Sequence, residues 1–358
     1  MELEQFHHFL VGALKVGASD IHLKVGSPPI YRIQKELRTV KGDKLTPKDT
    51  VDVVTFVLKK SPGASHLDTL RDLDTSYSLP GKSRFRVNIY KQRGTFSLAI
   101  RAIPNEIPTF ENLLLPPQIE ELAGYRQGLV LVTGATGTGK SSTLAAIVNH
   151  INRTRPAHVV TIEDPIEFLH KDIRASVSQR EVGADTSDFN RALKAALRQD
   201  PDVILVGEMR DLETIDIALK AAETGHMVYA TVHTTDAVKT IGRLIGVFPT
   251  DEQDIVRIRL AENLRATVSQ RLLPRADGRG MVVALELMKV TGTVEDAIKN
   301  RELTGTLKDL IERSRDQYGM MSFDQSLMSL YSQNLISFEV AKRNATSPGD
   351  FERALHFE

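Results

Sequence analysis

The chain has 358 residues, with 46 Lys plus Arg against 46 Asp plus Glu, and no cysteine. That length predicts roughly two domains, each able to bury its own core. The balanced charge offers no global argument for a nucleic-acid partner or a membrane-coating surface, and the missing cysteine excludes disulfides and cysteine-ligated zinc, which suits a cytosolic protein.

Met1 to Gln5 is acidic rather than basic, which argues against a signal peptide, and no apolar run approaches the ~18 residues of a membrane span. Phe6, Phe9, Leu10, Ala13 and Leu14 share one helical face, and Ile21, Leu23 and Val25 then alternate with polar residues as a half-buried strand does. Thr46, Pro47 and Asp49 supply a cap, a first-turn proline and a capping carboxylate for a second helix. Phe85, Val87 and Ile89 alternate again, which sets Arg84 and Arg86 together on the opposite, polar face; Arg93 and Arg101 follow on or near the next strand. Residues 1–103 therefore read as a small α+β domain. The stretch 104–117, with Pro104, Pro108, Pro116 and Pro117 and little periodicity, reads as a linker that lets two domains move.

From 118 to 290 apolar runs alternate with amphipathic helices, the pattern of an α/β domain whose parallel sheet is covered on both faces. Strands are expected at 128–133, 157–163, 203–208 and 226–233. The first runs into Gly134, Ala135, Thr136, Gly137, Thr138, Gly139, Lys140, Ser141 and Ser142, a P-loop, and Leu144, Ile147, Val148 and Ile151 continue it as a helix. Glycines let backbone N–H groups turn inward around phosphate oxygens at the positive end of the helix. Lys140 reaches the β/γ-phosphates and Ser141 offers a hydroxyl to Mg²⁺, so ATP with Mg²⁺ is the expected ligand.

The remaining strands end in Glu163 and Asp164, in Glu208, and in His233 and Thr234. Ligands of open parallel sheets bind at the carboxyl ends of the strands, so these endings are expected to converge on one site. The run Val203 to Glu208 resembles a Walker B strand with Gly207 where many P-loop enzymes place an aspartate. Glu208 is left as the carboxylate to orient water, and Mg²⁺ is expected on Ser141, phosphate oxygens and water. The alternative for Glu208 is a helix cap or an ion pair with Arg210. Pro165 stops the ladder and aims Glu163 at the phosphates, unless Glu163 only shapes the turn. His233 is placed to report the γ-phosphate by hydrogen bonding, whereas a structural role explains His226 equally well. Arg84, Arg86 and Arg101 could reach a nucleotide of their own or a neighbouring subunit, or form a solvated face. Residues 291–358 read as a helical region, as in Leu327, Leu330 and Tyr331.

Taken together, GATGTGKSST at 134–143, TIEDPIEF at 161–168, QREVGADT at 179–186, LRQDPDVILVGEMRDLETI at 197–215, AETGHMVYATVHTTDA at 222–237 and SRFRVNIYKQRG at 83–94 resemble the PilT/PilU family of type IV pilus retraction ATPases, over nearly the whole chain. The resemblance implies a RecA-like P-loop ATPase core behind a smaller α+β (PAS-like) domain. It implies Glu163 and His233 as active-site groups, Glu208 as general base, and Arg84, Arg86 and Arg101 as candidates to complete the site. It also implies a homohexamer on the cytoplasmic face of the inner membrane, an inner-membrane pilus platform protein as partner, and a paralogous retraction ATPase as a further one. Extension ATPases carry a longer N-terminal region and a tetracysteine module, so the retraction side is favoured. One departure stands out: where the family has an Ala-Ile-Arg-Asn-Leu-Ile-Arg-like motif, this chain reads Ala297, Ile298, Lys299, Asn300, Arg301, Glu302, Leu303. A PilU-like accessory, a nucleic-acid translocase and a slow regulatory ATP-binding scaffold are the competing readings. Neutral charge and the lack of a dense basic-aromatic segment oppose the translocase.

Overall fold

The computed structural model describes residues 1–33, 36–59, 67, 69–104 and 106–355. Asn105 of the expected linker and 356–358 of the expected helical region lie outside the described residues, as do 34–35, 60–66 and 68 of the N-terminal domain. The chain forms two compact units, the first comprising Met1–Glu106, Asp164–Leu169 and Arg180–Asp188, the second Ile107–Glu163, His170–Gln179 and Phe189–Glu358.

In the first unit, strands β1 (Asp20–Lys24), β2 (Ile30–Ile33), β3 (Glu36–Thr39), β4 (Asp72–Leu79), β5 (Ser83–Gln92) and β6 (Thr95–Ala102) form a sheet in the order β3-β2-β1-β6-β5-β4. Every neighbouring pair is antiparallel. Helix α1 (Leu3–Lys15) buries Phe6, Leu10 and Ala13, and α2 (Pro47–Leu58) starts at the expected Thr46–Asp49 capping box. Both helices join Ile21, Leu23, Phe85, Val87 and Ile89 in one core, because period-two alternation on the strands meets period-3.6 spacing on the helices. Arg93 lies in the hairpin turn rather than on a strand: it and Gly94 take φ of 52° and 79°, as a two-residue turn between Gln92 and Thr95 requires.

The second unit holds a sheet of seven strands: β7 (Gly128–Thr133), β8 (His158–Glu163), β9 (Ser176–Glu181, whose Arg180 and Glu181 belong to the first unit), β10 (Val203–Val206), β11 (Met227–Val232), β12 (Leu264–Pro274) and β13 (Met281–Lys289), in the order β13-β12-β7-β11-β10-β8-β9. The pairs β12–β7, β7–β11, β11–β10 and β10–β8 are parallel, while β13 runs antiparallel to β12. The sheet is thus mixed rather than wholly parallel, because a short turn between β12 and β13 permits only an antiparallel return. Every residue of β7, β10 and β11 is buried, as expected of strands covered on both faces. Strand β10 stops at Val206, two residues short of the expected end. Phe110 and Leu115, inside the proline-rich stretch, are buried in the core of this unit. The C-terminal region is helical, and Leu327, Leu330, Ile336, Ala341 and Phe351 pack on Leu273, Val282 and Ala284 of the β12–β13 hairpin.

Candidate active site

Strand β7 leads into the P-loop, which ends at helix α3 (Lys140–Thr154), and the loop's shape depends on what glycine permits. Gly134 has φ of 143°, and a Cβ there would lie 2.5 Å from Thr138 Oγ1 and 2.7 Å from the Gln270 carbonyl oxygen. No other residue fits. Gly139, in the left-handed region at φ 90°, starts the helix with no side-chain cap, so the helix N-terminus faces the loop with its backbone dipole uncompensated by a carboxylate. The Lys140 ammonium hydrogen-bonds the carbonyls of Gly134 at 2.8 Å and Ala135 at 3.0 Å. Ser141 and Ser142 are half-buried in the first helical turn. Backbone amides, one ammonium and hydroxyls form a donor set suited to phosphate oxygens. Among the described residues, no group of three or more His, Asp or Glu side chains could hold a metal by itself.

Beyond β10, Gly207 donates its N–H to the Ile162 carbonyl at 2.7 Å. A Cβ on Gly207 would come within 3.0 Å of that oxygen and 3.3 Å of the Glu163 Cα. A larger residue at this position would have to push the β8 backbone back by a few tenths of an ångström, and the first carboxylate past the strand is Glu208. Its Oε1 accepts the Nε of Arg210 and lies 3.2 Å from Nε2 of His233, the residue that follows β11. Burial raises the Glu208 carboxyl, but the hydrogen bond from Arg210 and the charges of His233 and Arg210 together prevail and hold it below the usual glutamate value. Glu208 therefore stays ionised.

Glu163 ends β8, where Oε1 accepts the Thr161 hydroxyl at 2.6 Å and the Gln179 amide at 3.1 Å. The Gln179 side-chain Oε1 in turn accepts the His170 backbone N–H at 2.8 Å. Neither Thr161 nor Gln179 was singled out by sequence: the Thr161 hydroxyl is two residues from its acceptor and the Gln179 contact crosses to β9, a strand that periodicity missed. The P-loop, Glu163, Glu208 and His233 thus all lie at the carboxyl ends of β7, β8, β10 and β11. His226 sits at the opposite end of β11, with Nδ1 3.0 Å from the Ala221 carbonyl, where it fixes a turn.

The three arginines belong to the first unit. Arg84 Nη2 lies 2.9 Å from Glu181 Oε2 and donates to Ser76 Oγ at 2.7 Å, so its guanidinium is taken up inside that unit. Arg86 and Arg101 face each other across β5 and β6. Arg101 Nε donates to Asp20 at 2.9 Å, Arg86 lies 4.0 Å from Asp74, and both are more than a third exposed.

A family model described as "Type II/IV secretion system protein" matches residues 4–346. The type IV pilus retraction ATPase PilT of Pseudomonas aeruginosa is 41% identical over 96% of this chain and 98% of its own length. The type IV pilus ATPase PilU of the same organism is 39% identical over 98% of this chain and 90% of its own. A crystal structure of the pilus retraction motor PilT with bound ADP superposes with a TM-score of 0.86 at 42% identity, covering 97% of this chain and 98% of that one. With the P-loop and three strand-end groups gathered at one edge of the sheet, the chain belongs to the PilT family of type IV pilus retraction ATPases.

Proposed function

We propose that this protein hydrolyses ATP through Glu208 as general base, with the P-loop as phosphate cradle and His233 and Glu163 completing the carboxyl-end site. The single observation that supports this reading best is the Glu208–His233 contact of 3.2 Å between the carboxyl ends of the parallel neighbours β10 and β11, of which β11 pairs with the P-loop strand β7. An ionised carboxylate held by a hydrogen-bonding histidine can take the proton of an attacking water, and the histidine can follow the γ-phosphate. Lys140 supplies the point charge at the β/γ-phosphates. Ser141 would hold Mg²⁺ together with phosphate oxygens and water, and the ion would supply charge neutralisation there. Arg86 and Arg101 are the stronger candidates for positive charge against the γ-phosphate, since Arg84 already serves Glu181.

The protein is a pilus retraction ATPase, and its work is done as a homohexamer at the cytoplasmic face of the inner membrane, against a platform protein that releases pilin. A second, accessory role beside a paralogous retraction ATPase is favoured by the PilU likeness and by segment 297–303, where Lys299 pairs with Glu295 at 2.7 Å and Glu262 at 3.5 Å. Steady-state ATP hydrolysis by the purified protein, with its mass measured in the same buffer, tests the proposal. Turnover by a six-subunit particle supports the motor; a nucleotide-binding particle without turnover contradicts it and favours the accessory role.

A further inference from the structure

One buried acid near the site has no part in the scheme above. Glu286, on β13, is 7% exposed. It pairs with Ser269 on β12, which pairs with Thr133 at the end of β7, so one row of residues runs from Glu286 to the position before Gly134. Glu286 Oε1 accepts the backbone N–H of Ala237 at 2.7 Å and the Ser269 hydroxyl at 3.3 Å. Burial pushes this carboxyl up, against the Ala237 N–H. Ala237 opens the helix Ala237–Gly246, four residues after His233.

Besides the His233–Glu208 contact, the segment between β11 and that helix carries ties of its own. Thr234 Oγ1 meets Thr240 Oγ1 at 2.7 Å, and Asp236 accepts the Lys239 N–H at 2.8 Å. Both ties would survive if the segment and helix moved as one piece. Glu286 comes from the far edge of the sheet, and its bond to Ala237 would not survive such a shift. A carboxylate at a helix N-terminus is also favoured by the helix dipole.

We propose that Glu286 is a positioning residue that pins the start of this helix to β13 and so sets His233 against Glu208. The idea rests on the reading of His233 and Glu208 given above. Displacing a reacting group by about 1 Å can cost on the order of a hundredfold, so Glu286→Ala should lower kcat roughly ten- to a hundredfold with KM and ATP affinity little changed. Glu286→Gln, whose amide oxygen can accept the same N–H, should restore most of the loss. Because Glu286 acts through His233, the double variant with His233→Ala should be no slower than His233→Ala alone.

If alanine unfolds the protein, Glu286→Asp, which draws the carboxylate back by one carbon, takes its place with the same expectations. Unchanged kcat in Glu286→Ala or its aspartate substitute, a glutamine variant as slow as alanine, or additive losses in the double variant would each overturn the proposal. A fully active His233→Ala would instead overturn the site reading, and this proposal with it; a slow His233→Ala with additive losses overturns this proposal alone.

Discussion

Glu181 in the first unit and Glu208 in the second each accept an arginine, but their surroundings differ. Glu181 takes Arg84 at 2.9 Å, the Ser76 hydroxyl at 2.8 Å and the Ile166 N–H at 3.0 Å, and its side chain is 4% exposed. That pair is closed, and it fastens residues 164–169 and 180–188 to the antiparallel sheet. Glu208 is 17% exposed, and its partners Arg210 and His233 are 74% and 39% exposed. Both of those partners can turn away into solvent and leave the carboxylate to a ligand. An arginine–glutamate pair thus reads as scaffold where the arginine is mostly enclosed, as Arg84 is at 17% exposure, and as machinery where the arginine is open to solvent, as Arg210 is.

Lys140→Ala carries the largest expected effect, because the loop loses its point charge on the β/γ-phosphates; ATP binding measured by titration calorimetry should vanish or weaken severely, and binding of unchanged strength would refute the cradle. Arg84→Ala comes next. Removing Arg84 leaves the buried Glu181 carboxylate without its counter-charge, a loss that costs about 3–5 kcal/mol when both members are buried and less for a half-buried arginine, so the melting temperature should drop. A variant that melts normally but does not hydrolyse ATP would move Arg84 from scaffold to catalysis.

Arg210→Ala is the mildest. Arg210 helps hold the Glu208 carboxyl low, against burial that raises it. A group with a depressed value is ionised above that value and lost as pH falls through it, so the acid limb of kcat should lie below the ordinary glutamate range. Without Arg210 that limb should move to higher pH, with the neutral-pH rate little altered. An unmoved limb would mean that another group controls it.

Much of the site was legible because its chemistry is local. Gly134 to Ser141 is one uninterrupted run, and the strands before it and before His233 are apolar enough to locate from periodicity alone. Glu208 could be picked out as the first carboxylate past an apolar run, although β10 proved shorter. The edge hairpin β12–β13 was missed: Leu264 to Pro274 mixes Arg, Ser and Gln with aliphatics, so its period is blurred, and its burial comes from neighbours far away in sequence. Glu286 was invisible for the same reason, since its partner Ala237 is 49 residues away. The commitment of Arg84 was hidden too, because Glu181 comes from a segment inserted from the middle of the chain, and alternation on β5 shows only that Arg84 and Arg86 share a face.

As general base, Glu208 would act on water rather than on nucleotide binding. Measuring ATP affinity and single-turnover hydrolysis of Glu208→Gln in parallel with the unaltered protein tests it most directly. Loss of a general base costs roughly 10² to 10⁴ in rate, so the account predicts hydrolysis reduced on that scale with ATP still bound at unaltered affinity. Turnover near that of the unaltered protein would contradict it.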